Sequence, residues 1–201
     1  MIAGIILAAG ESQRMGFPKA LLVYRGKTFL ETVLDACVAA RLDPAVVVLG
    51  PDAPKILATV DLRAAIVMRN EHPETGQIAS IKHGISAIIN RPVDAALIWP
   101  VDQPHVLVGT VERLIQEFRG RHAAIAVPLS RGRRGHPVLF GRTVFQELLD
   151  APQDVGARAV TRSDPGRVAE VPVDDSAVLE DIDTPDAYEE LVRRSGPPGN
   201  P

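Results

Sequence analysis

The segment Leu7-Ala8-Ala9-Gly10-Glu11-Ser12-Gln13-Arg14-Met15-Gly16-Phe17-Pro18-Lys19 concentrates residues suited to chemistry. Small side chains at Ala8, Ala9 and Gly10 let a ligand reach the backbone. Gly10 and Gly16 permit positive φ, and Arg14 and Lys19 bring two cations to one loop. That combination suits a polyphosphate cradle. It is neither of the two familiar phosphate loops. A P-loop needs Gly-Lys-Ser/Thr, whereas Phe17 follows Gly16 and Ala20 follows Lys19. A dinucleotide fingerprint needs glycine two residues after the first, where Ser12 stands. Further along, Asp102 follows an apolar run and is placed to offer an oxygen ligand to a hard divalent cation.

These residues need a scaffold, and short apolar runs provide one: Ile2 to Ala9, Ala45 to Leu49, Ala64 to Met68, Ala95 to Trp99 and Ala123 to Val127. Lacking strict alternation, they fit strands buried on both faces. Between them, Thr28 to Arg41 reads as a helix, with Thr28 and Glu31 spaced as a capping box and Phe29, Val33, Leu34 and Val38 on one side. Gln77 to Ile89, Thr110 to Phe118, Thr143 to Leu149 and Thr184 to Val192 read similarly. The alternation predicts a three-layer α/β/α, doubly wound, mainly parallel sheet, with ligands beyond the carboxyl ends of its strands. The phosphate loop and Asp102 both fall at such ends.

The 201 residues suit one compact unit, and 46% hydrophobic residues at a mean hydropathy of +0.08 supply a core. A net charge of −3, from 22 basic and 25 acidic residues, gives no basic field for nucleic acid. Cys37 has no disulfide partner, and its helix position reads as core packing. No apolar run spans a bilayer, and no basic leader precedes the first strand, so a cytoplasmic protein without membrane association is expected. The polar Ser195 to Pro201 reads as a flexible tail.

Leu7-Ala8-Ala9-Gly10, Ser12, Arg14-Met15-Gly16 and Lys19 resemble the signature of nucleotidyltransferases that activate cofactors and sugars. Adding Pro100-Val101-Asp102-Gln103-Pro104, Gly135-His136-Pro137-Val138-Leu139-Phe140 and Asp181-Ile182-Asp183-Thr184-Pro185, the chain resembles the molybdenum cofactor cytidylyltransferases, from Ile2 to about Leu191. The resemblance implies a Rossmann-like nucleotidyltransferase domain over 1–194. It also implies transfer of CMP from CTP to the terminal phosphate of molybdopterin, pyrophosphate release and a need for Mg²⁺, with Mn²⁺ as a substitute.

By the same resemblance, Arg14, Lys19 and Asp102 are catalytic, and Leu7, Ala8, Ala9, Gly10, Ser12, Arg14, Lys19, Gly76 and Ser80 bind the nucleotide. Asp102 and Asp183 hold the metal, with Asp181 as the alternative second ligand, and Arg134 and His136 face the acceptor. Taken alone, Asp102 or Asp183 would also serve as a helix cap, His136 as a turn residue, and the arginines from 131 to 134 as a solvated loop. A guanylyltransferase using GTP is the main alternative, although the extra methyl of Ala9 narrows a base pocket. Other phosphorylated acceptors, or a non-catalytic carrier or insertion chaperone, share the donor site. A molybdenum hydroxylase is the expected recipient of the product, and the chain is expected to be a monomer or a weak homodimer.

Overall fold

The structure, a computed structural model, describes residues 1–10, 12 and 14–196; Glu11, Gln13 and 197–201 lie outside the described residues. In chain order the elements are β1 (Ile2–Ala8), β2 (Val23–Tyr24), β3 (Lys27–Thr28), α1 (Phe29–Ala39), β4 (Ala45–Leu49), α2 (Ala53–Leu57), β5 (Ile66–Arg69), α3 (Gln77–Ile88), β6 (Ala95–Pro100), α4 (Val108–Arg121), β7 (Ile125–Ser130), β8 (Arg133–Arg134), β9 (Val138–Gly141), α5 (Phe145–Asp150), α6 (Arg158–Ser163), β10 (Val168–Pro172) and α7 (Pro185–Ser195). The main sheet runs β10-β7-β9-β6-β1-β4-β5, with β8 paired to β7. Pairs β1 with β4, β1 with β6, β4 with β5 and β10 with β7 are parallel. β9 is antiparallel to both neighbours, β6 and β7. The expected mainly parallel α/β/α sheet is therefore present.

Two apolar layers cover the sheet. On one face α1 and α4 bury Phe29, Leu30, Val33 and Leu114 around Trp99. On the other, α3 and α5 bury Ile81, Ile85, Ile88 and Phe145. At ~1.5–3 kcal/mol for each fully buried large apolar side chain, these layers hold the strand ends in register. α1 begins as its sequence dictates: the Glu31 N–H donates to Thr28 Oγ1 at 3.2 Å, and the Thr28 N–H donates to Glu31 Oε2 at 2.8 Å. Its one cysteine, Cys37, is buried core packing, and burial pushes the thiol up to about 12.

Several sequence expectations are corrected. The arginine run is not a free loop, because Arg133–Arg134 form β8 and Arg131 and Gly132, both at positive φ, make the two-residue turn of a hairpin. Ser195 belongs to α7 rather than to a tail, its Oγ donating to the Leu191 carbonyl at 2.7 Å; the rest of the expected tail beyond Gly196 lies outside the described residues. The expected strand at Ala64 begins at Ile66, and β9, β10, α2 and α6 were not anticipated. No helix among the described residues is long and apolar enough to cross a membrane.

Candidate active site

The carboxyl ends of β1 and β6 meet at a cavity of about 420 Å³. Its wall includes Leu7, Ala8, Ala9, Gly10, Ser12, Arg14 and Lys19, as the sequence predicted, together with Asp52 and Ile56 from the α2 region and Pro100 to Asp102. Ser12 works as a staple in this loop. At φ 48° its carbonyl accepts from the Met15 and Gly16 N–H groups at 2.9 and 3.0 Å, and its Oγ accepts from the Lys19 N–H at 3.1 Å. The far side of the loop rests on α2, with Lys55 Nζ 4.1 Å from the centroid of the Phe17 ring.

Behind the loop, Gly50 ends β4. A Cβ there would lie 2.4 Å from the Ala9 carbonyl oxygen. Only a residue without a side chain lets β4 come this close to the backbone that lines the cavity.

Four charged side chains converge at the cavity mouth. Lys19 Nζ donates to Asp102 Oδ2 at 2.8 Å and to Asp183 Oδ1, and Arg14 Nη2 donates to Asp183 Oδ2 at 2.8 Å. Burial alone would lower the Lys19 pKa, but the Asp102 and Asp183 carboxylates outweigh it and raise the ammonium above its ordinary value. Hydrogen bonding from Lys19, helped by Arg14, holds Asp183 below the usual carboxylate range. Asp183 is free for this because Thr184 caps α7 in its place, its Oγ1 accepting from the Ala187 N–H at 3.3 Å.

Asp181 points to a different neighbourhood. It accepts from Gln103 Nε2 at 2.8 Å, and burial together with nearby Asp102 raises its pKa. Between the two candidates for a second metal ligand, the geometry joins Asp183 to Asp102 through Lys19.

A divalent cation fits this donor set. Asp102 Oδ1 is buried and has no hydrogen-bond partner among the described residues. No cluster of three or more metal-binding side chains occurs among the described residues. Mg²⁺ does not need one, since it usually takes one or two protein carboxylates and completes its shell with water and substrate phosphate. Asp102 and Asp183 are the residues that would hold it.

Ser80 lines the cavity, and its Oγ accepts from buried Asn70 Nδ2 at 2.9 Å. Gly76 does not line it. It is the residue before α3, at φ 91°, and its own N–H donates to the Pro73 carbonyl at 3.0 Å. The following Gln77 lines the wall instead.

Gln77 also borders a second cavity of about 660 Å³, so the two spaces share a wall. Here β9 supplies Val138 and Phe140, and Arg134 and His136, the residues expected to face an acceptor, line the rim. Arg134 Nε is paired with Glu170 Oε1 at 2.8 Å, whereas His136 is largely buried and its pKa is lowered by that burial. Arg158, Thr161 and Arg162 of α6 complete the rim. Sequence reading missed them because a six-residue helix carries too little periodicity to place; the only available signal was two more arginines four residues apart. The floor is apolar, from Ile78, Ile81, Ile98 and Val127.

Gly135 holds this wall against the segment that leads to Asp181 and Asp183. The His136 N–H donates to the Val178 carbonyl at 2.9 Å, and a Cβ on Gly135 would lie 2.1 Å from that same oxygen.

A mainly parallel sheet whose first loop brings two cations onto two carboxylates, beside an adjoining second cavity, has the form of a nucleotidyltransferase. The chain belongs to the MobA-like NTP transferase domain family, whose model matches residues 4–170. It is 32% identical over 190 residues to nicotine blue oxidoreductase of Paenarthrobacter nicotinovorans, covering 91% of this chain and 92% of that one. It is 29% identical to the probable molybdenum cofactor guanylyltransferase of Mycobacterium marinum, covering 91% and 89%. The crystal structure of Rv0371c from Mycobacterium tuberculosis H37Rv matches with a TM-score of 0.85 at 34% identity, covering 96% and 97% of the two chains. The manganese complex of that protein matches at 0.79 and 31% identity, covering 96% and 98%.

Proposed function

We propose that the chain transfers CMP from CTP to the terminal phosphate of molybdopterin. The observation that carries this reading is the Lys19, Asp102 and Asp183 cluster, which stands at the mouth of one cavity beside a second with a cationic rim. An oxygen of the acceptor phosphate attacks the α-phosphorus of the nucleotide and forms a new P–O bond. The bond from that phosphorus to the bridging oxygen breaks, and pyrophosphate leaves with the electron pair.

Such a transfer asks the protein chiefly to position phosphates and offset their charge. Arg14 and Lys19 serve the triphosphate. Asp102 and Asp183 would hold a Mg²⁺ or Mn²⁺ ion, which when bound would neutralise further phosphate charge; the manganese complex of Rv0371c supports the use of a divalent ion. Arg134, His136, Arg158 and Arg162 face the acceptor, whose ring lies on the apolar floor. The product passes to a molybdenum hydroxylase.

The guanylyl reading keeps the same acceptor with GTP as donor, and the name of the Mycobacterium marinum relative favours it. Ala9 lines the first cavity, and a residue larger than glycine there favours the smaller pyrimidine. Anaerobic pyrophosphate release, with CTP or GTP, with or without molybdopterin, separates the readings. Release that needs molybdopterin and CTP supports the cytidylyl reading, and release from GTP alone replaces it. No release from either, with nucleotide still bound, rejects molybdopterin transfer in favour of a carrier or another acceptor.

A further inference from the structure

We propose that Lys19 is a place-holding cation, which keeps Asp102 and Asp183 closed to a free divalent ion and releases them when a triphosphate takes up its ammonium. The inference rests on the donor-site reading above. Its basis is that one Nζ bonds both carboxylates that would hold the ion, with Asp102 Oδ2 at 2.8 Å. The Lys19 and Asp102 side chains are only 15% and 20% exposed, so solvent screens the pair weakly.

Charge counting gives the direction of the effect. Arg14 and Lys19 against Asp102 and Asp183 sum to zero. A divalent ion arriving alone leaves this partly buried cluster at +2 and must compete with a cation already seated. A triphosphate arriving alone leaves it strongly negative. Arriving together, the ion offsets about half of the triphosphate's charge, and the phosphates offer Lys19 replacement acceptors. Lysine suits the exchange because its ammonium is a point charge with three donors on a flexible stem, able to swing between anions without matching a fixed fork. Asp102 Oδ1 is buried and, among the described residues, is the one carboxylate oxygen of the pair that no cation holds. Ion and triphosphate therefore strengthen each other's binding by the same factor.

The test is Mn²⁺ binding to the full, nucleotide-free chain, followed by electron paramagnetic resonance of the free ion. Lys19→Gln is expected to bind Mn²⁺ at least tenfold more tightly than the unmodified chain, while losing pyrophosphate release. Opposite movement of the two readouts is something simple damage to the site does not produce. Lys19→Arg, which keeps the charge, is expected to bind like the unmodified chain, and Lys19→Gln combined with Asp102→Asn is expected to lose the gain. Circular dichroism checks folding, and Lys19→Met takes the place of Lys19→Gln if the latter folds poorly. Equal Mn²⁺ affinity in the unmodified chain and the neutral variant overturns the place-holder role and leaves the donor site standing. Absence of Mn²⁺ binding in the neutral variant likewise overturns the place-holder role, whereas absence of Mn²⁺ binding to the unmodified chain even with CTP or GTP present overturns the donor-site reading.

Discussion

Gly50→Ala tests whether the nucleotide cavity is shaped from behind. The added Cβ would sit 2.4 Å from the Ala9 carbonyl oxygen, where ordinary contact begins at 3.4 Å, so the two backbones must part by about 1 Å. No rotamer change relieves this, because the clashing atom belongs to the main chain. Overpacking of this kind costs about 1–3 kcal/mol, and a protein of this size loses roughly 2–4 °C of Tm per kcal/mol. The functional loss is expected to be larger than the stability loss suggests, because displacing a site by ~1 Å costs on the order of 100-fold in rate. Calorimetric titration with CTP and GTP and pyrophosphate release under saturating acceptor would read the effect. Gly109→Ala is the control: that glycine lies exposed on α4 with nothing within 4 Å of the new Cβ, and it is expected to leave Tm unchanged or raise it slightly. Gly50→Ala with unaltered Tm and unaltered nucleotide affinity would refute the reasoning.

Arg158→Ala, on the rim of the second cavity, is expected to raise the KM for the acceptor at least tenfold with little change in the KM for nucleotide; steady-state pyrophosphate release with each substrate varied reads both. Asp102→Asn is expected to lower turnover at least 100-fold in a chain that still folds, as judged by circular dichroism, because it removes a carboxylate bonded to Lys19 and the unpartnered oxygen beside it. Burial lowers the pKa of both His105 and His136. The unfolded chain therefore takes up protons below about pH 6.5 that the folded chain refuses, and stability is expected to fall as the pH drops through that range. Thermal unfolding across pH values checks this, and His105→Gln with His136→Gln should flatten the slope.

The donor loop was legible because its chemistry lies in one stretch of chain: Ala8, Gly10, Arg14 and Lys19 are neighbours in sequence and remain so in space. The α1 boundary was legible for the same reason, since Thr28 and Glu31 satisfy each other locally. The resemblance put Asp183 ahead of Asp181, but spacing alone does not separate two residues this close. Only the folded chain shows that different partners reach them, from residues 14, 19 and 103. Gly50 gave no signal at all, because its importance is a contact with Ala9, 41 positions away. β9 was read as a motif rather than a strand because four residues next to His136 and Pro137 carry no period of their own.

The reversed direction of β9 has a consequence for how such a protein diversifies. A strand running against its neighbours starts at the edge where they finish, so the chain entering it, at His136, reaches the ligand edge that its parallel neighbours reach on leaving. The first cavity is built from strand exits on one side of β6, and the second from a hairpin and a strand entrance on the other. Residues 131–134 can therefore be lengthened, shortened or recharged without altering the register of β1, β4 and β5, whereas Gly135 and His136 stay fixed against Val178. A single scaffold can in this way exchange one partner molecule for another while its nucleotide chemistry is inherited intact.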